Sequence, residues 1–282
     1  MATSTGIMSN YYETSILNHM LRGINLALPT YFWLTVYSNA DGAGEADTGT
    51  EKTTGVGEFS RVGILRSTEL QAIDNLMSNL NALTFAQASS AWGTIYGWGL
   101  KNSSTAGNLL FWGLFDTPIV VDAGETLRIA ADDLPIALYN LDSTHGGWSA
   151  FAASGTINWL VNNTPFTYTQ NGTQLALGRN ISLDSANNLL SWTECTGTGY
   201  ARKLMTIGEW SSPSNGTCSN INEQVFIAEA IDGTWGTISD IVLYDNDTGI
   251  NPIFWGHLPT ALVISAGDGF KIPVGGISVQ FS

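Results

Sequence analysis

The sequence predicts an all-β chain of two tandem β-sandwich (jelly-roll-like) domains, residues 1–140 and 141–282, with one short helix at the N-terminus. Three observations lead there: a composition poor in charge and rich in turn formers, an internal duplication, and short apolar runs bounded by turn residues. Charged residues make up only 12% of the 282 positions, hydrophobic residues reach 44%, and glycine occurs 31 times. That much apolar material supports a packed core and argues against disorder. Two ordinary domains or one large β domain fit the length.

The duplication is legible without a gap over the C-terminal third of each copy. Trp92-Gly93-Thr94-Ile95 recurs as Trp235-Gly236-Thr237-Ile238, an offset of 235 − 92 = 143. Phe111-Trp112-Gly113 then meets Phe254-Trp255-Gly256, and Ala123-Gly124 meets Ala266-Gly267. Across 92–138, 15 of 47 columns are identical. Upstream the offset is 200 − 59 = 141, pairing Phe59-Ser60-Arg61 with Tyr200-Ala201-Arg202 and Ser78-Asn79 with Ser219-Asn220. A repeat this long is a whole domain and not a solenoid unit.

Each element follows from local pattern. Ser9 caps the opening helix, whose apolar residues Tyr12, Ile16, Leu17, Met20 and Leu21 share one face, and Gly23 stops it. That face is a candidate docking or oligomer contact. Ile157 to Val161 reads as a degenerate counterpart in the second copy, packing on the sandwich or on a neighbouring subunit. Tyr31 to Ser38 is aromatic and β-branched, as a strand is. Leu109 to Phe115 is apolar throughout, as a strand buried on both faces is. Asp122-Ala123-Gly124-Glu125 is a tight turn before the alternating Leu127-Arg128-Ile129. Lys101 to Gly107 and Asp245 to Gly249 occupy equivalent places and read as hairpin loops. Seven or eight short strands per copy are expected.

Several functions drop out on composition. With 10 Lys+Arg against 24 Asp+Glu the net charge is −14, so no basic groove for nucleic acid can be lined and an anionic membrane is repelled. No apolar run approaches the ~20 residues that span a bilayer. The first ten residues show no secretory signal.

A search for chemistry is equally negative. His19, His145 and His257 have no metal-ligand spacing; His257 aligns with Leu114 and reads as a strand site with local solvent access. Asp245 to Gly249 resembles the start of a calcium loop, but the twelfth position is Gly256, not an acid. The matched acidic pair Glu125/Asp268 belongs to the turn. Cys195 and Cys218 lack cysteine partners in the first copy, and a disulfide or two reduced thiols fit equally. No catalytic residue, metal or cofactor is expected.

Ten tryptophans raise sugar stacking as a use for indole faces. Trp92/Trp235 and Trp112/Trp255 are matched between copies and read as shared core, and Trp98 reads as core too. Trp148, Trp192 and Trp210 lack a tryptophan partner and lie among Gly, Ser and Thr. They are the candidate glycan-stacking residues, with packing as the competing use.

The order of motifs resembles a family of tailed-phage virion structural proteins, described as tail-fibre-like. It carries Ser9 to Glu13, Ile16 to Gly23, the strand Tyr31 to Ser38, Gly49-Thr50-Glu51, Phe59-Ser60-Arg61, Trp92-Gly93-Thr94, Gly107 to Leu110 and Val121 to Leu127. The resemblance covers the first copy well and the second in weakened form, and it supplies no catalytic residues. It implies a non-enzymatic virion protein, assembled in the host cytoplasm and placed on the outer surface. The main expectation is a capsid decoration (cement) protein binding the major capsid protein. The alternative is a tail-fibre or host-receptor, glycan-binding module contacting tail components. A homo-oligomer is expected, a trimer among the options, with neither nucleic acid nor membrane as partner.

Overall fold

A computed structural model describes residues 5–53, 55–138, 146–162, 172–185, 187–231, 233–245 and 251–281. The expected domain boundary at 140, His145 and most of the expected loop Asp245 to Gly249 lie outside the described residues.

The β prediction holds in both halves. In the first, a five-stranded antiparallel sheet runs in the spatial order Ile7–Met8, Leu109–Val121, Gly93–Lys101, Tyr31–Tyr37, Val62–Leu65. In the second, the order is Gly146–Trp148, Pro252–Ile264, Gly236–Asp245, Thr173–Leu183, Leu189–Glu194, with Lys203–Met205 also pairing Thr173–Leu183. Opposite each large sheet lie short ladders. Leu76–Asn79 joins Leu70–Ile73 and Ile136–Ala137 in one half, and Thr217–Ser219 joins Ser278–Gln280 in the other. The described residues hold ten strands per half, more than the seven or eight expected, because several are ladders of two or three residues.

Shared sequence marks shared contacts. The buried Asn79 accepts from Leu134 N–H (2.9 Å) and donates to the Asn81 and Ala130 carbonyls. Its counterpart Asn220 accepts from Ile277 N–H (2.8 Å) and donates to the Asn222 and Pro273 carbonyls. A buried amide so saturated pins two loops at once and tolerates no apolar substitute. The predicted turn is equally local. Glu125 accepts from Asp122 N–H (2.8 Å) with Gly124 at φ 88°, and Asp268 accepts from Ser265 N–H (2.7 Å) with Gly267 at φ 85°. A left-handed third position explains why the glycine is kept.

Helix α1, Asn10–Arg22, begins and ends as read: Ser9 Oγ accepts from Tyr12 N–H, and Gly23 closes it at φ 63°. The second helix corrects the reading. Helix α2, Ala150–Asn162, is not degenerate but has the same 13 residues, at an offset of 150 − 10 = 140. Ser149 caps it as Ser9 caps α1, accepting from Ala152 N–H (3.0 Å) and donating to Pro252 O where Ser9 donates to Leu109 O.

Each of the two long helices bridges the halves. Helix α1 lies between its own strand Leu109–Val121 and the second half's Thr217–Ser219 and Ile207–Glu209. Helix α2 lies between its own strand Pro252–Ile264 and the first half's Arg66–Glu69, Leu70–Ile73 and Leu76–Asn79. The two meet where His19 stacks on Trp159 with ring centroids 4.7 Å apart. These positions are themselves equivalent, 159 − 19 = 140, as residues beside a pseudo-two-fold axis must be. One apolar cluster runs through both halves.

Glu13 sits at this junction, 2% exposed, with its carboxyl against Gly216 of the second half. Burial, reinforced by Glu45, pushes its pKa up to about 7. A carboxyl whose pKa is raised on folding favours the native state only while protonated. Its ionisation penalty is absent below pH 4.5, grows between pH 4.5 and 7, and then levels off on the order of 3 kcal/mol. Glu13→Gln is therefore expected to be more stable than the parent chain at pH 8 and no more stable at pH 4. Urea unfolding at the two pH values checks this; an equal difference at both would refute it.

Candidate functional site

The sequence-predicted site residues separate into three groups. Tyr12, Ile16, Leu17, Met20 and Leu21 are all 0–1% exposed. The face assigned to docking is thus consumed inside the chain, Tyr12 lying edge-on to Phe111 at 5.0 Å. An apolar stripe shows that something covers it and not whose it is. Trp148 and Trp210 are 4% and 2% exposed, which corrects their reading as stacking residues. Trp148 is stacked on Phe281 at 4.7 Å and 3°, with Phe254 beside it. Beside Trp148, Gly146 marks close backbone packing, since a Cβ there would collide with the Trp255 carbonyl. Trp192 alone remains half-buried at the rim of its sheet.

Of the matched tryptophans, Trp92, Trp235 and Trp255 are buried as expected, whereas Trp112 is half-buried. Trp92 and Trp235 donate Nε1–H to Gly57 O (2.9 Å) and Thr198 O (3.2 Å), another equivalent pair. Each meets the aromatic of the aromatic-x-Arg motif edge-on, Phe59 at 5.2 Å and Tyr200 at 5.4 Å. Cys195 and Cys218 are both free and buried, so the reduced alternative holds. Burial pushes Cys218 up to about 11 and Cys195 upward too. Neither is a nucleophile at neutral pH.

The arginine of that motif has a structural task. Arg61 grips Glu51 with two hydrogen bonds, Nε to Oε1 at 2.6 Å and Nη2 to Oε2 at 2.9 Å, and Arg202 grips Glu194 at 2.8 and 2.7 Å. Lys101 bridges Asp47 and Glu51 at 2.7 and 3.1 Å, and Thr35 and Tyr37 donate to Glu51 and Asp47. Burial pushes Glu51 upward, but the hydrogen bonds from Arg61 and Thr35 with the charge on Lys101 outweigh it and leave the carboxyl lowered. In the second half Tyr244 replaces Lys101 and its ring lies 3.8 Å beneath the Arg202 guanidinium. Each charge is matched, as an internal strut requires.

One arrangement was not foreseen. On the outer face of each large sheet a row of four residues crosses the strands. In the first half it is Glu51, Tyr37, Gly97 and Leu114; in the second it is Glu194, Gly178, Asp240 and His257. The buried Asp240 accepts from His257 Nδ1–H (2.5 Å), Ser239 Oγ–H (3.0 Å) and Ile181 N–H (3.4 Å). The His257 side chain remains 34% exposed, in agreement with its reading as a strand site open to solvent. The signal was present as a paired change, Gly97 to Asp240 with Leu114 to His257, but adjacency across strands is invisible along a chain.

Among the described residues no three His, Cys, Asp or Glu side chains lie close enough to hold a metal ion, and no helix is long and apolar enough to cross a membrane.

A family model for the podophage GP4 fiber I protein gp80 matches residues 7–137 and again residues 147–280. The chain belongs to that family. Two full matches in one chain make this fiber-family protein a tandem duplication. The expected family of phage virion structural proteins is thereby shown. No curated protein matches the chain.

Proposed function

We propose that the chain is a non-enzymatic component of a podophage tail fibre that takes part in recognising the host surface. The observation that carries this reading is the fiber-protein match over both halves. It favours the alternative expectation over capsid decoration. The internal use of the Arg61–Glu51 and Lys101–Asp47 ion pairs supports a structural role for them. The partners are other tail components, the location is the outer surface of the virion, and assembly takes place in the host cytoplasm. A homo-oligomer, such as a trimer, fits a fibre built from identical chains. We place the junction between the repeats near residue 140.

Antibody labelling of the parent virion, with copy number from quantitative mass spectrometry, tests the placement. A small number of copies confined to the tail is the expected result. Hundreds of copies over the head would overturn the fibre reading and restore the decoration one.

A further inference from the structure

We infer that the outer face of the second half's large sheet is a carbohydrate-binding site, formed by His257, Asp240 and Trp192. The inference rests on the host-recognition reading and assigns it to one half of the chain.

The duplication provides an internal control. The sheet does not need a His–Asp pair, since the first half closes the same row with Gly97 and Leu114. There the loop after Tyr37 lies over the row. A Cβ at Gly97 would stand 3.1 Å from Gly42 Cα, and one at Gly42 would stand 2.8 Å from Leu114 Cδ2. In the second half that cover is not reproduced over His257, which is exposed. Beside it, a Cβ at Gly178 would collide with the Trp192 indole, so the ring lies over the row itself. Trp192 is held by its Nε1–H to Tyr244 Oη at 2.7 Å. A half-buried indole and a polar imidazole thus share one face. They stand two strand spacings apart, about 10 Å, room for two sugar rings.

The chemistry selects the ligand. Asp240 holds Nδ1 of His257, leaving Nε2 as the polar ring atom that can meet a ligand. A sugar hydroxyl both donates and accepts, so it suits either protonation state of that nitrogen. The indole offers an apolar face to the C–H side of a pyranose. A metal ion would want further ligands, and none is present among the described residues. An anionic ligand would want a free cation on this face, but Arg202 is committed to Glu194, Arg179 alternates to the opposite face from Gly178 and donates to the Thr237 carbonyl, and the chain carries a net charge of −14. A neutral glycan is what remains.

The test uses the full-length chain and polysaccharide extracted from the surface of a bacterial strain the phage infects, with binding measured by isothermal titration. His257→Leu and Asp240→Gly each install the residue that the first half carries at the same place. Each is expected to weaken binding at least tenfold, and Trp192→Ala to weaken it similarly; the variants should still unfold cooperatively, Asp240→Gly at the lowest melting temperature because it removes a buried acceptor of three hydrogen bonds. Unchanged binding by His257→Leu would overturn the site and leave the host-recognition reading standing. Adsorption of the parent chain to intact cells without binding to the polysaccharide would also overturn the site, pointing to a protein receptor. Failure to adsorb to susceptible cells at all would overturn host recognition itself.

Discussion

Arg66→Ala is expected to destabilise the whole chain by about 3 kcal/mol, the typical result of breaking a buried charged contact. Arg66 is 4% exposed and joins the two halves. Its Nη1 donates to the Leu160 and Trp159 carbonyls at the C-terminal end of α2, and its Nε donates to Pro29 O in the first half. The last carbonyls of a helix have no partner within the helix, so a buried helix end needs a donor from elsewhere. A cation there also complements the helix dipole. Alanine removes the donors and leaves the carbonyls sealed from water. Since one apolar core runs through both halves, the parent chain should melt in a single calorimetric transition and the variant in a single one roughly 5–10 °C lower. A loss below 1 kcal/mol, or two separate transitions in the parent chain, would contradict this account of the junction.

Trp148→Ala is expected to cost about 4 kcal/mol, within the range for deleting a large buried aromatic. The indole is stacked on Phe281 and packed on Phe254, so truncation opens a cavity between the strand Gly146–Trp148 and the C-terminal residues. Trp148→Met should recover much of the loss, because Met8 fills the equivalent place in the first half. Both strands pair with the same motif, Met8 opposite Phe111 and Trp148 opposite Phe254. Guanidinium unfolding measures both variants. Polysaccharide binding by Trp148→Met should equal that of the parent chain, in contrast to His257→Leu. A Trp148→Ala variant of unchanged stability would return Trp148 to the surface.

Helix α1 was legible because its signals are local and its burial is one-sided. Ser9, Gly23 and an apolar stripe lie within one short stretch. Helix α2 was only partly legible because it is enclosed more completely. Ala152, Ala153, Ile157, Trp159, Leu160 and Val161 are all buried, and only a narrow stripe through Phe151, Asn158 and Asn162 is exposed, so apolar residues over most of the circumference blur the 3.6-residue period that identifies a helix. The same enclosure explains the misplaced Trp148 and Trp210. Neighbouring glycines and serines suggest a surface when read along the chain, yet glycine also lets backbone approach an aromatic ring. Gly113 does so beneath Trp98, where a Cβ would stand 2.7 Å from the ring.

The sequence by itself determined the two-copy β architecture, the start and stop of the first helix, and the paired turns at Glu125 and Asp268. Caps, left-handed glycines and strand alternation act over a few residues, and an offset between repeats can be counted. Only the tertiary structure decided that each helix serves the other half, that Arg66 closes a helix belonging to the second copy, and that Asp240 meets His257. Those contacts join segments far apart in the chain. Which face meets which is settled by the collective burial of both halves at once, a quantity no local pattern carries.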